Sequence, residues 1–262
     1  MRVRELSGIA EMTAASTLWD TIWARRESGH EVDPALMVAL SHAGGYLAAA
    51  FDGDTMVGAA LGLWGPPAYG TLHSHITGVL PSYAGQGVGA AIKNHQRDWV
   101  LDRGGVAITW TFDPLVSRNA HFNVNRLGAR PERYLHDLYG ELSDDINRGD
   151  PTDRLLARWS LTSPPAPPSS GPAAALLTNH DGAPVVGLSL SLEEIESETA
   201  LTVAVPDDIE ALRRSDPESA SLWRVAVRQA VAPLLERGWS ITGFARGVGY
   251  RLEPPDPTGE QS

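Results

Sequence analysis

The sequence predicts an α/β protein: a mixed α+β sheet core followed by a smaller C-terminal α/β domain. Three observations predict it. Apolar residues alternate between the period of strands and that of helices along the first 130 positions. The segment 72–103 reads without interruption as strand, glycine loop and helix. A Pro/Ser-rich run, SPPAPPSSGP at 163–172, then sets a second part apart from the first.

Taken in order, Val3 to Leu6 reads as a first strand. Ala15, Leu18, Trp19, Ile22 and Trp23 recur at helical spacing, with Gly29 as the stop. Gly45 to Phe51 and Met56 to Trp64 are strands joined by the tight turn Asp52-Gly53-Asp54. Pro66-Pro67 breaks the second of them. Leu72 to Leu80 is a strand that Pro81 stops, since proline has no N–H to give to a ladder. Gly85, Gly87 and Gly89 follow at every second position, and then Val88, Ile92, His95 and Trp99 take up helical spacing. Gly104-Gly105 closes that helix. Val106 to Phe112 is almost wholly apolar, as expected of a strand buried on both faces. Ser117 to Leu127 reads as a short helix ending at Gly128, and a last strand of the first part follows Asp153-Arg154.

Beyond the Pro/Ser run, strands are predicted at 174–178, 184–190 and 200–205. Asp207 to Glu210 resembles a capping box, and Asp216-Pro217 marks another helix start. Trp223, Val227, Val231 and Leu234 give that helix its apolar stripe, with a kink expected at Pro233. Closing strands are predicted at 241–245 and 250–252. The expected organisation is therefore a first domain at 1–161, a linker at 162–172, a second domain at 173–253 and a loose tail at 254–262.

Composition narrows the function. The 262 residues are 42% apolar, enough to bury a core, and carry a net charge of −11. That charge argues against nucleic acid or an anionic membrane as partner. The absence of cysteine excludes disulfides, thiolate metal sites and an acyl-cysteine intermediate. The first residues, MRVRELSGIAEM, lack the apolar run of a signal peptide, and no stretch of membrane-spanning length is apolar throughout. A soluble cytoplasmic protein is expected. The eight histidines fall into no metal-ligand spacing, so no metal is expected.

The strand–loop–helix at 77–93, TGVLPSYAGQGVGAAIK, aims free backbone N–H groups and the positive end of a helix at one spot, which suits a pyrophosphate. It matches neither GxxxxGK[ST] nor GxGxxG with a following acidic residue. It resembles the acyl-CoA loop of the GNAT acyltransferase superfamily, [Q/R]-x-x-G-x-[G/A] after a strand ending V-x-P. Val79-Leu80-Pro81 supplies the strand end and Gly87-Val88-Gly89 the G-x-G, whereas Ala84 stands where the motif has Gln or Arg. The runs TFDPLVSRNAHFNVNRLGA, YG at 139–140 and GDPTDRLLARW resemble a subgroup of GNAT proteins with an appended C-terminal segment. The resemblance covers roughly positions 1–161. It implies a mixed-sheet core with acyl-CoA wedged where the strands after positions 80 and 106 part.

Acyl transfer to an amine needs a held cofactor, a polarised thioester, a base for the ammonium and an acid for the thiolate. Backbone N–H groups of Gln86, Gly87, Val88, Gly89 and Ala90 are expected to bind the phosphates, with Lys93 one turn into the helix. The resemblance assigns the cofactor arm to Val79, Leu80 and Asn119. For the base, His75 and His73 lie two apart on one strand face, and Asp113 ends the buried strand. The tyrosine that protonates the thiolate in many relatives falls on Val124, which leaves Tyr134, Tyr139 or water. Arg154 is a candidate for a carboxylate or for an ion pair inside a loop. The expected function is transfer from acetyl-CoA, or from another acyl-CoA such as succinyl-CoA, to a small-molecule amine, with homo-oligomerisation left open. A non-catalytic CoA-binding or regulatory module and a protein-interaction scaffold are the alternatives.

Overall fold

The computed structural model describes residues 1–23, 30–140, 150–163, 171–187, 195 and 198–255. The expected stop at Gly29, most of the linker and most of the tail lie outside these residues. The chain divides into two compact units. The first holds Met1–Trp110 and Ser160–Ser163; the second takes in residues 111–140, 150–159 and those described from 171 onward.

The first unit is built on a mixed sheet. Strands β1 (Arg2–Glu5), β2 (Tyr46–Asp52), β3 (Thr55–Trp64) and β4 (Thr71–Val79) pair antiparallel in sequence order. β5 (Ala107–Phe112) runs parallel to β4. The Asp52-Gly53-Asp54 turn joins β2 to β3 as expected, with Gly53 at φ 56°. Helix α1 (Gly8–Trp23) and helix α2 (Pro34–His42) cover one face. Met12, Ala15, Trp19 and Met37 pack there with Leu47, Ala49, Ala59, Leu61 and Ile76. Helix α3 (Val88–Leu101) covers the other face, because the β3 residues next to Ala59 and Leu61 point its way. A Cβ on Gly58 would come within 3.1 Å of Ile92, and one on Gly62 within 3.2 Å of Gln96. Glycine at these two positions leaves room for α3 to lie close to β3, where a larger residue would crowd it.

Helix α2 was not foreseen, although its signal is local. Pro34 occupies the first turn, and the Asp33 carboxylate caps it by accepting from the Leu36 N–H at 3.0 Å.

In the second unit, β6 (Arg130–Leu135), also not foreseen, pairs antiparallel with β7 (Arg154–Ser160). Helix α4 (Ser117–Ala120) runs on into a π-helical turn over His121–Arg126, and Gly128 at φ 72° follows it. A second sheet holds β8 (Ala174–His180), β9 (Ala183–Val186), β10 (Leu201–Val203), β11 (Ser240–Ala245) and β12 (Gly249–Glu253), in the order β11-β12-β10-β8-β9. Helices α5 (Ile209–Ser215) and α6 (Pro217–Glu236) begin where the sequence predicts, capped by Asp208 and Asp216. α6 continues through Pro233 to Glu236 and buries Trp223, Val227, Val231 and Leu234.

Candidate active site

The first unit brings most of the expected residues to one end of β4. β4 and β5 pair only at Thr71↔Ala107, Leu72↔Ile108 and His73↔Thr109. Beyond the last of these, β4 continues to Val79 without a β5 partner, so the two strands part. The β3–β4 register also shifts here, from Leu61↔Ile76 to Gly62↔Ser74, which leaves His75 as an extra residue in β4. Such a bulge bends a strand and re-aims its side chains, and bulges gather beside active sites. His75 is exposed at the bulge, and its ring lies 6.5 Å from that of His73. His73 is half-buried, with Nδ1 3.2 Å from Thr109 Oγ1. Burial, then His75, then the Lys93 ammonium hold its imidazole below the usual histidine range.

The glycine loop follows directly. Pro81 to Tyr83 form one 3-10 turn, and the Tyr83 hydroxyl donates to Asp52 Oδ2 at 3.1 Å. Gly85 and Gly87 adopt φ 75° and 83°, a left-handed conformation costly to any side chain, and an added Cβ would meet nothing within 4 Å at either. The loop thus faces open space at its two strained positions. Gly87 is the N-cap of α3, and the first helical bond runs from the Ala91 N–H to Gly87 O at 2.9 Å. The N–H groups from Val88 to Ala90 precede any helical acceptor, as at every helix start. This is a cradle of donors at the positive end of a 14-residue helix, and it fits the phosphates of a coenzyme A group. The Gln86 side chain turns away to donate to Ser82 O at 2.9 Å. The Leu80 N–H is a sheet donor to Val57 O at 2.9 Å, which leaves it committed to β3.

Lys93 departs from expectation. Instead of reaching toward the loop, it is 5% exposed and its Nζ donates to Ser74 Oγ at 2.9 Å. The ammonium also sits 4.1 Å from the centre of the Trp110 ring. The reason is helical phase. Position 93 shares the inward stripe of α3 with Gln96 and Val100, both buried. Burial pushes its ammonium down to about 7.

Asp113, Asn119 and Arg154 belong to the second unit. Asp113 cannot serve as the base expected of it. Its carboxylate is 8% exposed and receives Arg213 Nη2 at 2.7 Å and Arg224 Nη1 at 2.8 Å. Burial would raise this carboxyl, but the Arg224 and Arg213 guanidiniums overcome it and hold it well below the usual range. Asp150 Oδ2 accepts from the same two arginines, each at 2.8 Å. Asn119 is exposed on α4. Arg154 is half-buried, donates to Asp153 O at 2.9 Å and lies 5.6 Å from the centre of the Tyr139 ring.

At the position expected for the acid, Val124 is 2% exposed. Of the substitutes considered, the Tyr134 hydroxyl donates to Asp153 Oδ2 at 2.7 Å. Burial first, then Asp153, raise that phenol above its usual range. The Tyr139 hydroxyl bonds Thr111 Oγ1 at 2.9 Å. Sequence reasoning missed the arginines 213 and 224. Their carboxylate partner lies 100 and 111 residues away, and no local pattern marks such a pairing.

Among the described residues, no helix is long and apolar enough to cross a membrane, and no group of three potential metal ligands gathers.

Residues 13–128 match the acetyltransferase (GNAT) family. No curated protein sequence matches the chain significantly. Among solved structures, a ribosomal-protein-alanine N-acetyltransferase from Brucella melitensis aligns with TM-score 0.51 at 13% identity, over 61% of this chain and 99% of its own. An aminoglycoside 6'-acetyltransferase type Ii aligns with TM-score 0.50 at 16% identity, over 63% of this chain and 100% of its own. The yncA protein of Salmonella typhimurium, solved with its cofactor acetyl-CoA, aligns with TM-score 0.50 at 14% identity, over 65% of this chain and 98% of its own. At these identities the likeness is one of fold. With the family match, the mixed sheet and the glycine loop after β4 in agreement, residues 13–128 are a domain of the acetyltransferase (GNAT) family.

Proposed function

We infer that the chain is an acyl-CoA-dependent N-acyltransferase that moves an acyl group directly to the amine of a small molecule. One observation carries the reading: a glycine loop with two left-handed glycines opens onto free space ahead of α3, at the end of a strand that has parted from its neighbour. Acyl-CoA would supply the activated thioester, with acetyl-CoA the default donor. The backbone from Gln86 to Ala90 would hold its phosphates, and Val79 and Asn119 its arm. Arg154 would favour a carboxylated donor such as succinyl-CoA only if its guanidinium reaches the acyl group. His75 would take the acceptor's proton, with His73 in reserve. Residues 1–161 would carry this chemistry and 173–253 an accessory role. The net charge of −11 speaks against nucleic acid or an anionic membrane as partner.

A second reading, CoA binding without turnover, is favoured by Ala84 and the buried Val124 in place of two motif side chains. Calorimetric titration with CoA, followed by turnover on an amine panel with acetyl- and succinyl-CoA, separates the two. Gly87→Glu should abolish CoA binding, because φ 83° disfavours any side chain and the new charge would oppose the pyrophosphate. Unchanged affinity in a folded Gly87→Glu protein would end both readings.

A further inference from the structure

The last paired residues of β4 and β5 are His73 and Thr109, and the next residue along each strand is Ser74 and Trp110. The Lys93 ammonium touches both, with its Nζ 2.9 Å from Ser74 Oγ and 4.1 Å from the Trp110 ring centre. It therefore occupies the apex of the opening between the strands. A buried lysine without a carboxylate is costly, and among the described residues no carboxylate pairs with it. Gln96 adds a weak acceptor at 3.4 Å, while its own buried Nε2 has no partner among the described residues. Packing alone would be better served by an apolar side chain at position 93. Ser74 accepts from the ammonium, so its own hydroxyl hydrogen remains to be given onward.

We propose that Lys93, relayed by the Ser74 hydroxyl it holds, is the proton donor to the thiolate that leaves during acyl transfer. The proposal rests on the acyl-CoA reading and fills the role that Val124 cannot. As the acceptor nitrogen bonds to the acyl carbon, the carbon–sulfur bond breaks and its electron pair goes to sulfur. Sulfur takes the Ser74 proton, Ser74 takes one from Lys93, and the neutral amine is recharged from solvent. The proton lost by the acceptor nitrogen goes to His75 or His73. Burial alone brings the Lys93 ammonium to about 7, so at neutral pH it can both give and regain a proton. The titratable groups on the surrounding elements are His73 and His75 on β4, Tyr46 and Asp52 on β2, Arg2, Arg4 and Glu5 on β1, and His95, Arg97 and Asp98 on α3 itself; β3 and β5 carry none.

The test needs no acceptor. Reduced CoA is bound to the full chain and its thiol titrated by thiolate absorbance. The bound thiol should ionise about one pH unit or more below free CoA, because a thiolate formed beside Lys93 holds that amine in its charged form and the two titrate as a coupled pair. Lys93→Met should abolish that shift while calorimetric affinity for CoA stays near wild type, and Lys93→Arg should retain it. A purely structural lysine would leave the thiol titration identical in wild type and Lys93→Met, which overturns the proposal. If Lys93→Met does not fold, the wild type decides by 15N-lysine NMR. By reciprocity, bound CoA should raise the Lys93 titration and bound desulfo-CoA should not. Equal titrations with the two ligands would overturn the proposal. Failure of CoA to bind wild type at all would sink the acyl-CoA reading itself, a distinct result.

Discussion

The two histidines of β4 differ in ways that a period-two reading cannot separate. His75 stands in the bulge and is exposed, whereas His73 is half-buried against Thr109. An amine must lose a proton before it attacks, so the base must be neutral and open to the acceptor. Exposure favours His75. His75→Gln should lower turnover roughly 10²–10⁴-fold, abolish the ionisation through which the rate rises with pH, and leave CoA affinity unchanged. If His73 were the base, its depressed imidazole would place that rise at lower pH than for an ordinary histidine, and His73→Gln would be the dead variant. Both variants keeping the wild-type profile would remove histidine from the mechanism. At this scale the sequence was legible wherever the backbone made the demand. Gly85, Gly87 and Gly53 are glycines because φ is positive there. It was not legible where two side chains meet through folding, as at Lys93 and Ser74, which lie 19 residues apart.

Elements announced themselves through their ends. Asp208 and Asp216 cap α5 and α6 by accepting from N–H groups three residues on, a pattern written in the sequence. α2 carried the same pattern at Asp33-Pro34. What no cap reveals is why α5 and α6 stay together in the second unit. Arg213 on α5 and Arg224 on α6 share the carboxylates of Asp113 and Asp150, and all four side chains are at most 9% exposed. Removing one member of such a set leaves an uncompensated buried charge, so Arg224→Met should cost about 3–5 kcal/mol in denaturant unfolding. The pH dependence follows from Asp113. Its folded carboxyl lies below its unfolded value, so the stability it contributes is present above about pH 3.9 and is lost as pH falls toward the folded value. Wild type should therefore lose stability steeply under acid and Arg224→Met less so. Parallel acid profiles would show that the network contributes nothing through this group.

At the scale of the whole chain, the composition break at 163–172 does not mark where contacts cease. The second unit joins residues 111–140 and 150–159 to those from 171 onward. Within it the Tyr250 hydroxyl donates to Pro114 O at 2.7 Å. Asn125 exchanges hydrogen bonds with the Phe244 backbone at 2.6 and 3.1 Å. Arg228 holds Asp153 at 2.8 Å. A fragment ending at 163 would keep Asp113, Asp150 and Asp153 but lose the three arginines that neutralise them. Burying a carboxylate without its partner is far more costly than leaving a surface ion pair unmade. A protease site inserted at 164–170 should therefore yield two pieces that co-elute after cleavage and melt as one. The fragment 1–163 made alone should aggregate or unfold, and supplying 171–262 in trans should rescue its solubility. If 1–163 instead folds cooperatively by itself, melts near the temperature of the full chain and binds CoA, residues 111–159 draw their stability from the first domain, and the boundary near 161 expected from sequence stands.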